Sequence, residues 1–186
     1  MKKVIIIHRW EGQSHGDWYP WLRQEFEKLG CEVHVPDMPD TEVPVINKWV
    51  NKLSEVVGTP DMNTYFIGHS IGCQTILRYL ETINTPIGGV VFVAPWFTLD
   101  NLEDQEVKQI AKPWIETPID FEHIKTVAPS IQALISSNEP YGCIKENTQI
   151  LEERLGAKVF VLENKGHFTK DDGCEHIPEL LDLISK

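Results

Sequence analysis

The segment Gly68-His69-Ser70-Ile71-Gly72 has the spacing G-x-S-x-G. Between a strand and a helix this spacing makes an elbow. The chain reverses within one residue, small residues on either side let helix and strand approach, and the serine hydroxyl projects clear. The plain alternative for Ser70 is a helix N-cap serine. A serine hydroxyl attacks a carbonyl only when a base removes its proton, and seven histidines are available. His167, in Gly166-His167-Phe168, follows the last predicted strand. It therefore falls on the same sheet edge as Ser70, in the chain order serine, acid, histidine. His8 ends the first predicted strand on that edge and competes for the role. His69 lies inside the elbow, where its ring is expected to point away from the serine. His15, His34, His123 and His176 read as surface or structural residues.

A base of this kind needs a carboxylate to fix its tautomer and stabilise its cation. After the fifth predicted strand the chain reads Ser136-Ser137-Asn138-Glu139-Pro140-Tyr141, and Glu139 is the one acid in that loop. Asp100, beyond the fourth predicted strand, is the alternative. The amide of Ile71, at a helix N-terminus, is one candidate oxyanion donor. The second is expected from the loop after the first strand, from Arg9 or Trp10. Trp10, Trp18, Trp96, Phe97 and Trp114 are candidate pocket walls, with core packing as their alternative.

The elements that must position these residues alternate. Strands are expected at Val4–His8, Cys31–Val35, Thr64–Gly68, Gly89–Val93, Ser130–Ile135 and Lys158–Leu162. Helices are expected at Trp18–Leu29, Pro44–Val57, Ile71–Ile83, Ile144–Leu155 and Ile177–Ile184, with two short ones in Asp100–Val127 broken near Pro113 and Pro118. The first strand is β-branched without polar interruption, as in a sheet covered on both faces. Alternation of this kind implies a doubly wound parallel sheet in one α/β domain, 1–186, with sites at the carboxyl ends of its strands.

The chain has 186 residues, 41% hydrophobic and 24% charged, and a net charge of −11 without a Lys/Arg run. That balance argues against a nucleic-acid or anionic-membrane partner. No signal peptide or membrane-spanning stretch is read, and Cys31, Cys73, Cys143 and Cys174 lack zinc-like spacing. The expectation is a cytoplasmic protein with four reduced, mostly buried thiols and no metal or cofactor.

The residues so placed resemble the YdeN / retinoblastoma-binding protein 9 family of small serine hydrolases nearly end to end. The resemblance runs through Trp18-Tyr19-Pro20-Trp21-Leu22, Pro36-Asp37-Met38-Pro39, Trp49, the elbow with Cys73, Val90–Pro95, Asn138-Glu139-Pro140-Tyr141, Gly166-His167-Phe168, Gly173 and Pro178. It implies a compact α/β-hydrolase fold with six parallel strands in the order 2-1-3-4-5-6 and no large lid. It also implies a triad of Ser70, Glu139 and His167 acting on small carboxylic esters or amides. Three positions depart from the family. Arg9 stands where Gly is usual, and Glu139 where Asp is usual. Val33 stands where a retinoblastoma-binding L-x-C-x-E motif, begun by Leu29 and Cys31, needs Glu, so that partner is not expected. The competing readings are a non-catalytic binding protein on this scaffold, and an acyltransferase or peptidase using the same triad.

Overall fold

Alternate residues of the strands feed two separate cores. Ile5, Ile7, Phe66, Val90, Phe92, Ala133 and Ile135 point to one side, while Val4, Ile6, Ile67, Val91, Val93 and Leu134 point to the other. This is the period-2 geometry of a strand, with both faces buried. The structure, a computed structural model, describes residues 1–102 and 104–185. Positions 103 and 186 of the expected 1–186 domain lie outside the described residues.

The strands are β1 (Lys3–Ile7), β2 (Glu32–His34), β3 (Thr64–His69), β4 (Gly89–Val93), β5 (Ile131–Ser136) and β6 (Lys158–Leu162). All pair in parallel, in the order β2-β1-β3-β4-β5-β6. The helices are α1 (Tyr19–Lys28), α2 (Ile46–Val57), α3 (Ile71–Leu80), α4 (Gln105–Glu116), α5 (Phe121–Val127), α6 (Ile144–Gln149) and α7 (Glu179–Ser185). α1 and α7 cover one face with Tyr19, Leu22, Phe26 and Leu180. The other face is covered by α2 through Trp49 and Leu53, by α3, by Trp114 of α4 and by α5. Because every pair is parallel, all six strands have their carboxyl ends on one edge.

The expected elements recur with shifted ends, and three details differ. Pro113 lies inside α4 instead of breaking it. Its missing N–H leaves the Gln109 carbonyl without a helical partner, but both residues are exposed and water can serve. The helix expected at Ile144–Leu155 passes after Gln149 into a π-helical turn, Ile150–Arg154. Leu29, expected to end the first helix, caps α1 from just beyond it and is 61% exposed. No described helix is long and apolar enough to cross a membrane.

Candidate active site

The elbow is enforced by two close approaches. A Cβ on Gly72 would collide with the carbonyl oxygen of Ile7, and one on Gly68 would sit 2.7 Å from the amide nitrogen of Cys73. With α3 pressed this close to β1 and β3, Ser70 is forced to φ 55° and ψ −118°. For a residue with a Cβ this conformation costs about 1–3 kcal/mol, which the surrounding fold must hold in place. The Ser70 amide bonds Val93 O at 2.9 Å and its carbonyl accepts Cys73 N at 2.9 Å, so the backbone is pinned on both sides. The hydroxyl faces a pocket, with Ser70 only 6% exposed.

His167 follows β6 on a loop held by its own backbone groups. Lys165 N donates to Ser136 Oγ at 2.9 Å and Gly166 N to Asn138 Oδ1 at 2.9 Å. Both His167 N and Thr169 N donate to Asp172 Oδ2, at 2.9 and 3.1 Å. The loop after β5 thus grips the loop after β6. From the β5 loop Glu139 reaches the imidazole, with Oε1 2.8 Å from His167 Nδ1 and both side chains 11% exposed. A carboxylate at Nδ1 selects the Nδ1–H tautomer and leaves Nε2 as the proton acceptor. Asp100 lies exposed beside Gly142 and makes no hydrogen bond to the imidazole.

His8 is fully committed elsewhere. Its Nε2 accepts Met38 N at 3.0 Å, its Nδ1 donates to Arg9 O at 2.7 Å, and its ring packs edge-on to Trp49. Burial lowers its pKa and keeps it neutral. Of the remaining histidines, His34 pairs with Glu32, His123 with the Ile83 carbonyl and His176 with the Trp21 ring, while His15 is exposed.

The pocket in front of Ser70 and His167 has a volume of about 360 Å³. Its lining combines the apolar residues Trp10, Trp96, Leu99, Leu102, Val107, Pro140 and Tyr141 with the polar residues Arg9, Glu11, Thr169, Asp171 and Asp172. Three of the candidate pocket aromatics take the alternative, core packing. Trp18 is buried in the α1 core with its indole N–H on Phe168 O at 3.1 Å, and Trp114 packs on Trp49 with its N–H on Pro44 O at 3.0 Å. Phe97 packs on Phe121 behind the site. Trp114 faces the core with Ala111 on the buried stripe of α4, while Trp18 and Phe97 are drawn in from positions outside the helices. The expected choice between Arg9 and Trp10 as second oxyanion donor is narrowed by hydrogen bonding. The Arg9 amide is taken by Tyr19 Oη at 3.2 Å, whereas neither the Trp10 nor the Ile71 amide has an acceptor among the described residues.

A family model described as serine hydrolase matches residues 4–186. The chain belongs to the serine hydrolase family. The protein YdeN of Bacillus subtilis is 28% identical to it over 99% of this chain and 95% of its own. Serine hydrolase RBBP9 of Rattus norvegicus is also 28% identical, over 99% and 96%. The crystal structure of the ydeN gene product superimposes with a TM-score of 0.90 at 26% identity, covering 100% of this chain and 97% of that one. A carboxylesterase structure from Nitrososphaera gargenis, at TM-score 0.72 and 12% identity over 99% and 88% of the two chains, shares the fold.

Three residues of this serine hydrolase to which the sequence reading gave no role, Asp17, Tyr19 and His69, tie together the loops around the site. Tyr19 Oη accepts the Arg9 amide, so its own proton goes to His69 Nδ1 at 2.7 Å. The opposite nitrogen, His69 Nε2, must then carry a hydrogen, which it donates to the carbonyl of His167 at 2.7 Å. Both nitrogens of the His69 ring are thus taken by Tyr19 and His167, so the ring fixes the loop that carries His167. Burial, with His167 alongside, pushes the His69 pKa down to about 3, so the ring stays neutral. Asp17 forms a second tie, accepting Arg9 Nε at 2.8 Å and Lys170 N at 2.9 Å. The Trp18-Tyr19 pair in the sequence was the available signal, since a buried Tyr hydroxyl must find partners. Among the described residues no three metal-ligating side chains converge. Cys73 and Cys174 are buried, while Cys31 and Cys143 are half-buried.

Proposed function

We propose that this serine hydrolase cleaves small carboxylic esters with an apolar acyl group, and amides by the same route, through an acyl-enzyme on Ser70. The observation that carries the reading is the 2.8 Å pairing of Glu139 with His167 Nδ1. It directs Nε2 into the same pocket that the strained Ser70 faces. A binding protein gains nothing from holding a serine at φ 55° beside such an imidazole.

In the acylation step Ser70 Oγ attacks the carbonyl carbon and its proton passes to His167 Nε2, while Glu139 stabilises the imidazolium. The carbonyl oxygen, now an anion, lies against the Ile71 and Trp10 amides, each worth on the order of 10²- to 10³-fold in rate. Collapse expels the alcohol or amine, which takes the proton from His167. Water then repeats the sequence, with His167 as base, and frees the acid and Ser70. The apolar lining residues Trp10, Leu99, Leu102 and Val107 suit an acyl chain, and the polar lining residues Thr169 and Asp171, shortly after His167 in the chain, suit the departing group.

Fluorophosphonate labelling of the wild type and of Ser70→Ala tests the reading, followed by a p-nitrophenyl ester series of rising acyl length. Labelling lost in the variant supports it. A folded wild type that does not label moves the chain to a binding role on the same scaffold.

A further inference from the structure

The Trp96 indole N–H donates to Ser70 Oγ at 3.2 Å, while no hydrogen bond joins Ser70 Oγ to His167 among the described residues. We propose that Trp96 is a positioning and specificity residue that latches the nucleophile at rest and is released by acyl groups large enough to fill the pocket. This rests on the serine hydrolase reading above.

The latch is rigid at both ends. Ser70 has its backbone pinned by Val93 and Cys73, so only rotation about Cα–Cβ can carry Oγ to His167. Trp96 has its carbonyl held by Gln74 Nε2 at 2.7 Å. The next two amides, Phe97 N and Thr98 N, are held by Asn147 Oδ1 at 2.8 and 3.1 Å. An indole nitrogen only donates, so Oγ is the acceptor, and turning it toward His167 gives the bond up. Trp96 and Ser70 line one pocket, so an occupant meets both. A ligand shifts such an equilibrium only by preferring the released state. An acyl chain packed between Trp96 and the lining residues Leu99 and Leu102 can displace the N–H, whereas an acetyl group is too short to press on that ring. The latch therefore taxes short acyl groups most.

Trp96→Phe keeps an apolar ring and removes the donor. The expected result is a rise in the fluorophosphonate labelling rate of about 2- to 10-fold, with kcat/KM for p-nitrophenyl acetate gaining more than that for the hexanoate. A general disturbance of the site would lower these rates. Labelling of both proteins at the same rate, or slower labelling of the variant, overturns the latch alone. Labelling of neither sinks the hydrolase reading instead. A second arm reads the bond directly: the Trp96 indole N–H resonance shifts between wild type and Ser70→Ala, and an unmoved resonance also overturns the latch.

Discussion

His69 Nε2 lies 2.7 Å from the carbonyl oxygen of His167, and this bond runs in one direction only. A carbonyl cannot donate, so the proton is on His69 and Tyr19 must supply the other nitrogen. The chain from the Arg9 amide through Tyr19 and His69 to His167 therefore links the loop after β1 to the loop after β6. Tyr19→Phe leaves the Arg9 N–H and His69 Nδ1 without partners in a buried site. The expected stability loss is about 1–3 kcal/mol for each orphaned group. Because the relay positions His167, kcat should fall while KM changes little. Urea unfolding and steady-state kinetics of the folded variant check both parts.

The same neutral His69 makes stability depend on pH. Its pKa in the folded chain, about 3, lies below the ordinary value of 6.5. Between those values the unfolded chain binds a proton that the folded chain refuses, so the contribution is fully present above pH 6.5 and is lost as pH falls toward 3. The slope from this one site approaches 1.4 kcal/mol per pH unit. Urea midpoints at pH 7.5, 6 and 5 should fall steadily in the wild type. They should fall less in His69→Gln, which has no such proton to bind. Equal slopes in the two proteins would remove His69 from the account.

The acid of the site can be separated from its competitor by one pair of substitutions. Glu139→Ala removes the partner of Nδ1 and is expected to lower kcat by on the order of 10²- to 10⁴-fold. Asp100→Ala, at an exposed position without a bond to the imidazole, is expected to leave kcat within about 2-fold. Glu139→Asp retains the charge but draws it back by about one bond length, about 1.5 Å, and should fall between the two. A severe loss in Asp100→Ala with little effect in Glu139→Ala would move the acid to the loop after β4.

What could be read in advance follows a physical division. The strands were legible because both faces are buried, so Val4–Ile7 and Val90–Val93 are unbroken apolar runs. Ser70 and His167 were legible because strand ends place them on one edge whatever the side-chain details. The facing of a large ring was not. Trp10 and Trp96 line the pocket and Trp18 fills the core, yet all three are tryptophans in or beside the loops after β1 and β4. Nor could composition reveal the Tyr19–His69 relay, whose partners lie 50 residues apart in the chain and meet only after β3 and α1 pack.

Arg9, where the resemblance led to the expectation of a glycine, has a task for its side chain in the structure. Nε pairs with Asp17 at 2.8 Å and Nη1 donates to the Trp10 carbonyl at 3.0 Å. The guanidinium thus clamps the peptide that follows the Trp10 amide, and through Asp17 it ties that loop to Lys170 beside His167. Arg9→Ala should loosen the clamp and lower kcat by roughly 10-fold, the equivalent of about 1.4 kcal/mol of transition-state stabilisation. Asp17→Ala breaks the same tie from the other end. Because the two act through one bond, their effects should not add, and the double variant should lose little more than the worse single. Additive losses in a double-mutant cycle on kcat would show that Arg9 acts on the substrate through its charge and not through the loop it holds.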